Sequence, residues 1–116
     1  MAAEPIFLEV GSGNDWHGGD YTKAAVRAIE DAIHHSSLTL LQALDLDPST
    51  MQVEVTIGVQ RPERVDPDAV KAALPHGQVT VNVVPGGLDI QHHERGDVAV
   101  VACAAITVRL DLADRR

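Results

Sequence analysis

The sequence predicts an α+β protein with a mixed four-stranded sheet and helices on one face of that sheet. Three patterns support this fold class. Apolar and polar residues alternate over residues 51–60 and 78–84, as in half-buried strands. Residues 21–35 repeat apolar side chains with a helical period. Residues 97–110 are apolar on both alternating phases, which is typical of a buried strand. With 116 residues we expect a single domain, 1–116, with element order β-α-(α)-β-α-β-β.

The first strand is expected over residues 6–10, and Gly11 and Gly13 after it would let the backbone turn. Asp20 is then a suitable N-cap for the helix over residues 21–35, because its carboxylate can accept from free N–H groups of the first turn. A second short helix is predicted from Ser36 or Ser37 through Leu44.

The second half of the chain alternates strands with one short helix. After the strand over residues 51–60, Asp66 and Pro67 begin a helix that ends near Leu74. The strand over residues 78–84 is followed by a turn at Gly86-Gly87 and an irregular stretch to Gly96.

The last strand suggests more than one subunit. A single layer of helices covers one face of a sheet, so the second apolar face of residues 97–110 would need another cover, such as a second subunit. Cys103, which lies among Val and Ala residues, is expected to be a small core residue. Only 3% of residues are aromatic, so small side chains do most of the packing, which also favours an oligomer.

Composition limits the partners and the compartment. The net charge of -8 argues against nucleic acid and anionic membrane surfaces, which bind clustered Lys and Arg. The longest apolar run, residues 98–106, is shorter than the roughly 20 residues that span a bilayer. A single cysteine allows no internal disulfide and fits a reducing compartment, so we expect a cytoplasmic protein.

The chemistry is concentrated in residues 11–20, which contain four glycines, two aspartates and the only tryptophan. Asp15, His17 and Asp20 place two carboxylates and an imidazole within six residues, which suits acid–base work. A metal at Asp15 and His17 is conceivable, but no complete ligand set is present, so no metal or cofactor is predicted. The structural alternative is a turn in which both aspartates cap the following helix.

Lys23 extends this cluster into the helix. It lies on the same side as Asp20 and Arg27 by helical spacing, and unlike arginine it can shift its pKa or act as a nucleophile. The simpler interpretation is a solvated lysine paired with Asp20. The glycines match neither a phosphate loop, which needs Lys and Ser/Thr after the last glycine, nor a dinucleotide fingerprint, because Trp16 occupies the third glycine position.

The signature G-x-G-x-D-x-H-G that begins at Gly11 resembles the uncharacterised Lin-type family of small bacterial proteins. The match continues through D-x-T-K-A-A-V-R-A, which begins at Asp20, and extends over essentially the whole chain, including the strand around Val55 and the Gly86-Gly87 turn. This resemblance identifies a family but implies no activity.

More remotely, the chain is similar to one unit of the Toblerone-type fold of cyanuric acid hydrolases and barbiturases, which implies a homotrimer. In those enzymes Lys and Ser pairs open a cyclic amide. Lys23 and Ser12 would be the counterparts, although no motif matches residue by residue.

The functional expectation is a polar pocket that binds a small polar or anionic, cyclic amide-like metabolite and can hydrolyse it. The catalytic residues would be His17 as acid and base, Asp15 as its orienting partner and Lys23 as the electrophilic or anion-binding group. The alternatives are a non-catalytic ligand-binding module and a structural oligomeric module. The predicted ligand-binding residues are Gly11, Ser12, Gly13, Gly18, Asp20, Thr22 and Arg27.

Overall fold

The structure, a computed structural model, describes residues 4–34, 51–74, 77–92, 94 and 96–110. Its strands are β1 (Glu4–Asp15), β2 (Gln52–Val59), β3 (Gln78–Pro85), β4 (Leu88–His92) and β5 (Asp97–Leu110). The helices are α1 (Tyr21–His34) and α2 (Pro67–Ala72), with a short 3-10 helix at Pro62–Arg64. The predicted helix from Ser36 or Ser37 to Leu44 lies outside the described residues.

The α+β class and the mixed sheet are confirmed, but the sheet has five strands rather than four. The strand order is β1-β5-β2-β3, and β4 also pairs with β5. Strand β5 is antiparallel to β1, β2 and β4, whereas β2 and β3 are parallel and connected through α2. The strand that the sequence pattern missed is β4, which occupies part of the stretch expected to be irregular.

Long strand β5 explains how β4 fits into the sheet. One edge of β5 pairs with β1 over residues 100–110. On its other edge, residues 103–109 pair with β2, whereas residues 97–101 pair with β4. The tight Gly86-Gly87 turn directs the chain from β3 to β4, and the Gln60 side-chain amide fixes it by donating to both glycine carbonyls at 3.1 Å.

The core lies between one face of the sheet and the two helices, and this face is called the inner face. Alternate residues of β2 and β5, among them Val55, Ile57 and Val100, are fully buried there. Helix α1 contributes Ala24, Ala28 and Ile29, and α2 contributes Val70. The opposite, outer face has no helix on it among the described elements. Cys103 lies on that face and is exposed, so its prediction as a core residue was wrong.

Helix α1 and strand β1 pack backbone to backbone. Strand β1 continues through Gly11 and Gly13 to Asp15, beyond the predicted end near Val10. A Cβ on Gly11 would lie 2.5 Å from the carbonyl oxygen of Ala28, and one on Gly13 would lie 2.5 Å from that of Ala24. The glycines therefore allow close helix–strand contact rather than a turn after the strand.

Candidate functional site

The residues predicted from the first strand are occupied largely with each other. Asp15, which is only 5% exposed, accepts from the Asp20 backbone N–H through Oδ2 at 2.9 Å. Its Oδ1 lies 3.7 Å from the Arg27 guanidinium. Asp20 caps α1 as predicted by accepting from the Lys23 backbone N–H at 3.0 Å. Both carboxylates thus satisfy backbone donors where the helix begins.

The polar residues of α1 also cover the open edge of β1. The Ser12 backbone N–H donates to Asp31 Oδ2 at 2.9 Å, and the Asn14 carbonyl accepts from Arg27 at 2.7 Å. Unpaired backbone groups on an edge strand otherwise attract other strands, so these contacts stabilise a vulnerable edge. Arg27 therefore has two partners on β1, the Asn14 carbonyl and the Asp15 carboxylate.

Thr22 connects the two helices. Its hydroxyl oxygen accepts from the Asp66 backbone N–H at 2.9 Å, next to the position where Asp66 caps α2. Lys23 lies exposed on the first turn of α1.

His17 contacts a different carboxylate from the one expected. Its Nδ1 lies 3.5 Å from Asp97 Oδ2, at the start of β5, whereas Asp15 is engaged with Asp20 and Arg27. The imidazole is 65% exposed and the Asp97 side chain 37% exposed. The carboxylate placed to orient His17 is therefore that of Asp97.

A cavity of about 370 Å³ opens beside this pair, over the part of the inner face near the N-terminus of α1. Its walls come from the residues just before and at the start of α1, the segment after β2, strand β4 and the start of β5. Of the predicted site residues, Gly18 belongs to this lining. The lining residues are Gly18, Gly19, Tyr21, Arg61, Arg64, Asp89, Gln91, Gly96, Asp97 and Val98.

Tyr21 and Asp89 form the floor of the cavity. The Tyr21 hydroxyl donates to Asp89 Oδ2, and the ring is only 4% exposed. Burial raises the pKa of Tyr21, and the adjacent Asp89 carboxylate raises it further, while Arg61 and Arg64 act in the opposite direction. The phenol therefore remains a protonated donor at neutral pH.

The other oxygen of Asp89 has no partner. Asp89 Oδ1 is buried and lacks a hydrogen bond within the part of the chain that the structure describes. A buried carboxylate oxygen without a donor is costly, so such an atom marks a position where an N–H or O–H group of a ligand would be stabilising.

Two arginines add positive charge to the lining of the cavity. The Arg64 guanidinium lies 5.3 Å from the centre of the Tyr21 ring, a cation–π distance. Arg61 and Arg64 are both exposed, and across residues 4–34, 51–74, 77–92, 94 and 96–110 no carboxylate lies within ion-pair distance of either. The lining of the cavity thus combines guanidinium donors with carboxylate acceptors.

Sequence reasoning missed Tyr21, Arg61, Arg64 and Asp89. A signal for Asp89 did exist, because it separates apolar Leu88 from apolar Ile90 and so occupies the opposite phase of a short strand. Neither a metal cluster of three or more His, Cys, Asp or Glu side chains nor a helix long and apolar enough to cross a bilayer is found among the described residues.

Together, the fold and the cavity define a small α+β protein with a polar pocket at one end of its helix-covered sheet face. The chain belongs to the Lin0512 family, described as conserved hypothetical proteins, whose model matches residues 5–108. The resemblance to the Lin-type family is therefore confirmed.

A solved structure shares this fold. It is the crystal structure of an FtsZ-like protein of unknown function from Nostoc punctiforme, with 36% identity and a TM-score of 0.83. The match covers 96% of this chain and 98% of the other. No protein of curated function is similar enough to match.

Proposed function

We propose that the protein binds a small polar metabolite that carries both an anionic group and an N–H or O–H donor. The observation that supports this most directly is the buried, unpartnered Asp89 Oδ1 in a cavity that also contains two arginines without carboxylate partners in the described chain. A volume of about 370 Å³ is suited to a small molecule.

The two arginines and Asp89 favour different groups of the ligand. Arg61 and Arg64 suit a carboxylate or another oxyanion, because a guanidinium presents several donors in one plane. Asp89 can accept from an N–H or O–H group of the ligand, and Gln91 adds an amide that can donate or accept. An acid that also contains amide or ureido N–H groups can pair with the arginines and with Asp89 at once. Such a ligand is related to the cyclic amide-like class suggested by the remote resemblance.

The test is calorimetric titration with three related probes: N-carbamoylglycine, its methyl ester and succinate. The ester lacks the anion, and succinate lacks the N–H donors. The ureido acid should bind most tightly. Arg64→Gln and Asp89→Asn should each weaken its binding about tenfold or more, the value of one charge-assisted hydrogen bond.

Two further variants locate the site. Arg109→Gln makes the same charge change at the far end of β5 and should leave affinity unchanged. Lys23→Met tests the cluster predicted from residues 11–20. Binding that survives Arg64→Gln and Asp89→Asn but is lost in Lys23→Met would place the ligand at that cluster and contradict the cavity as the binding site.

Hydrolysis of the bound metabolite is a second candidate function, which the His17–Asp97 pair favours. Asp97 lines the cavity, and an imidazole oriented by a carboxylate can remove a proton from water. Incubation with N-carbamoylglycine and with hydantoin, followed by mass spectrometry, would reveal addition of water to the cyclic amide or cleavage of the ureido group. Turnover that persists in His17→Ala would exclude His17 as the base.

A further inference from the structure

The outer face of the sheet is divided into a polar part and an apolar part. On β2 and β3 the outward residues are mostly polar, including Gln52, Glu54, Thr80 and Asn82, with Val84 as the apolar exception. On β1, β4 and β5 they are mostly apolar, and this region is here called the outer patch. It comprises Leu8, Val10, Leu88, Ile90, Val101, Cys103 and Ala105.

The outer patch is continuous, because strand pairing places its members side by side. Val10 lies opposite Ala105, and Leu88 lies opposite Val101. The large side chains are well exposed: Leu8 66%, Val10 62%, Leu88 60% and Ile90 45%. The residues of a sheet face in contact with water are normally polar, as most outward residues of β2 and β3 are, so the outer patch has the composition of a covered surface.

We infer that a second copy of this chain covers the outer patch. Charge supports this occupant. The protein has a net charge of -8, so the repulsion between two copies is smallest when the surfaces that meet carry no charge themselves. Among the outward residues of these strands whose side chains the structure describes, the charged ones lie at the two ends of the face: Glu54 and Arg109 pair at 3.3 Å at one end, and Asp97 lies 3.5 Å from His17 at the other. The uncharged patch can therefore meet its own copy without opposing like charges.

The size of the face also fits. The five strands contain 12, 8, 8, 5 and 14 residues, and at roughly 3.4 Å per residue and 4.8 Å between strands they cover about 770 Å². A stable interface needs about 800 Å² from each partner, with an apolar centre and a polar rim. The outer patch would supply the centre, and the polar outward residues of β2 and β3 part of the rim.

The test combines the mass of the full chain with the reactivity of Cys103, the single cysteine, which lies between Ser12 and Gly58 in the sheet register. Sedimentation velocity should give the wild type a multiple of 12.4 kDa, and Cys103 should react slowly with a thiol reagent. Val10→Glu and, independently, Leu88→Glu should produce monomers whose Cys103 reacts rapidly.

The control is Ala72→Glu, which adds the same charge at the exposed end of α2 and should keep the wild-type mass. Circular dichroism verifies that each variant is folded. If one of the two patch variants, Val10→Glu or Leu88→Glu, is unfolded, the test relies on the other. A trimer in which three patches meet supports the inference as a dimer does. A monomeric wild type overturns it, whether Cys103 is reactive or is protected by the protein's own chain. An oligomer that survives both patch variants also overturns it.

Discussion

Two aspartates on the inner face lie opposite the same residue of β5, and their surroundings differ. Asp15 on β1 and Asp89 on β4 both pair with Val100, one on each edge of the strand. Both oxygens of Asp15 have partners, Arg27 and the Asp20 backbone, whereas Asp89 has Tyr21 on one oxygen and nothing described on the other.

The difference separates a structural carboxylate from one available to a ligand. On the β1 side, glycines bring α1 onto the strand and polar groups are paired within the chain. On the β4 side, the helix leaves a cavity and the charged groups remain open to it. The segment 11–20, which is rich in acidic residues and glycine, is therefore a place where polar groups form hydrogen bonds with each other. The cavity, where a carboxylate oxygen lacks a partner, lies on the other side of β5.

The largest expected effect tests the close packing on the β1 side. Gly13→Ala places a Cβ against the backbone of α1, so we expect a loss of about 3 kcal/mol in unfolding free energy, the upper range for overpacking. This loss exceeds the ~0.4–1 kcal/mol by which alanine stabilises a protein through the lower conformational entropy of the unfolded chain. Urea denaturation measures the loss, and exposed Ser12→Ala is the matched control, with a change within about 0.5 kcal/mol.

A Gly13→Ala variant as stable as the control would mean that α1 does not contact β1 through its backbone.

The second prediction compares the two aspartates directly. Asp15→Asn turns an amide nitrogen toward either Arg27 or the Asp20 N–H and should cost about 1–3 kcal/mol of unfolding free energy. Asp89→Asn keeps an oxygen for Tyr21 and removes a buried charge, so its cost should be smaller by at least about 1 kcal/mol. Both values come from urea denaturation at neutral pH, and equal losses would contradict the distinction.

The smallest effect concerns Tyr21, the single tyrosine, whose ionisation is followed by absorbance near 295 nm. The pKa of Tyr21 should lie above its ordinary value of about 10, because burial and Asp89 disfavour the phenolate. Asp89→Asn should lower that pKa toward the ordinary value. A wild-type midpoint at or below the ordinary value would refute the buried Tyr21–Asp89 contact.

The same pKa direction sets a pH dependence of stability. Between the unfolded and the raised folded pKa of Tyr21, the folded protein binds more protons, so the free energy of unfolding falls as pH rises. The contribution of Tyr21 is fully present below its unfolded pKa and is lost as pH rises through the folded pKa. Urea denaturation at increasing alkaline pH should therefore show a steeper loss for the wild type than for Tyr21→Phe.

Most elements could be predicted because their signals are local. The period of α1, its Asp20 cap, the Asp66 start of α2 and the bounds of β5 all follow from neighbouring residues. Strand β4 was missed because five residues are a short pattern and the preceding glycines suggested an irregular stretch.

The candidate cavity could not be predicted in this way. Tyr21 and Asp89 are 68 positions apart in the sequence. They meet only because β4 pairs with one edge of β5, while α1, which packs on β1 at the other edge of β5, brings its N-terminus to the same place. The outer patch is an intermediate case. The apolar character of both phases of β5 was visible in sequence, but the exposure of Leu8, Val10 and Leu88 depends on which face the helices cover.

By itself, the sequence determined the fold class, the positions of most strands and helices, and the family, because these follow from local periodicity, capping and a contiguous motif. Only the tertiary structure decided which polar groups remain unsatisfied. Asp15 and Asp89 are the same residue type on the same face, and a carboxylate becomes structural or available to a ligand according to the donors that distant parts of the chain bring to it.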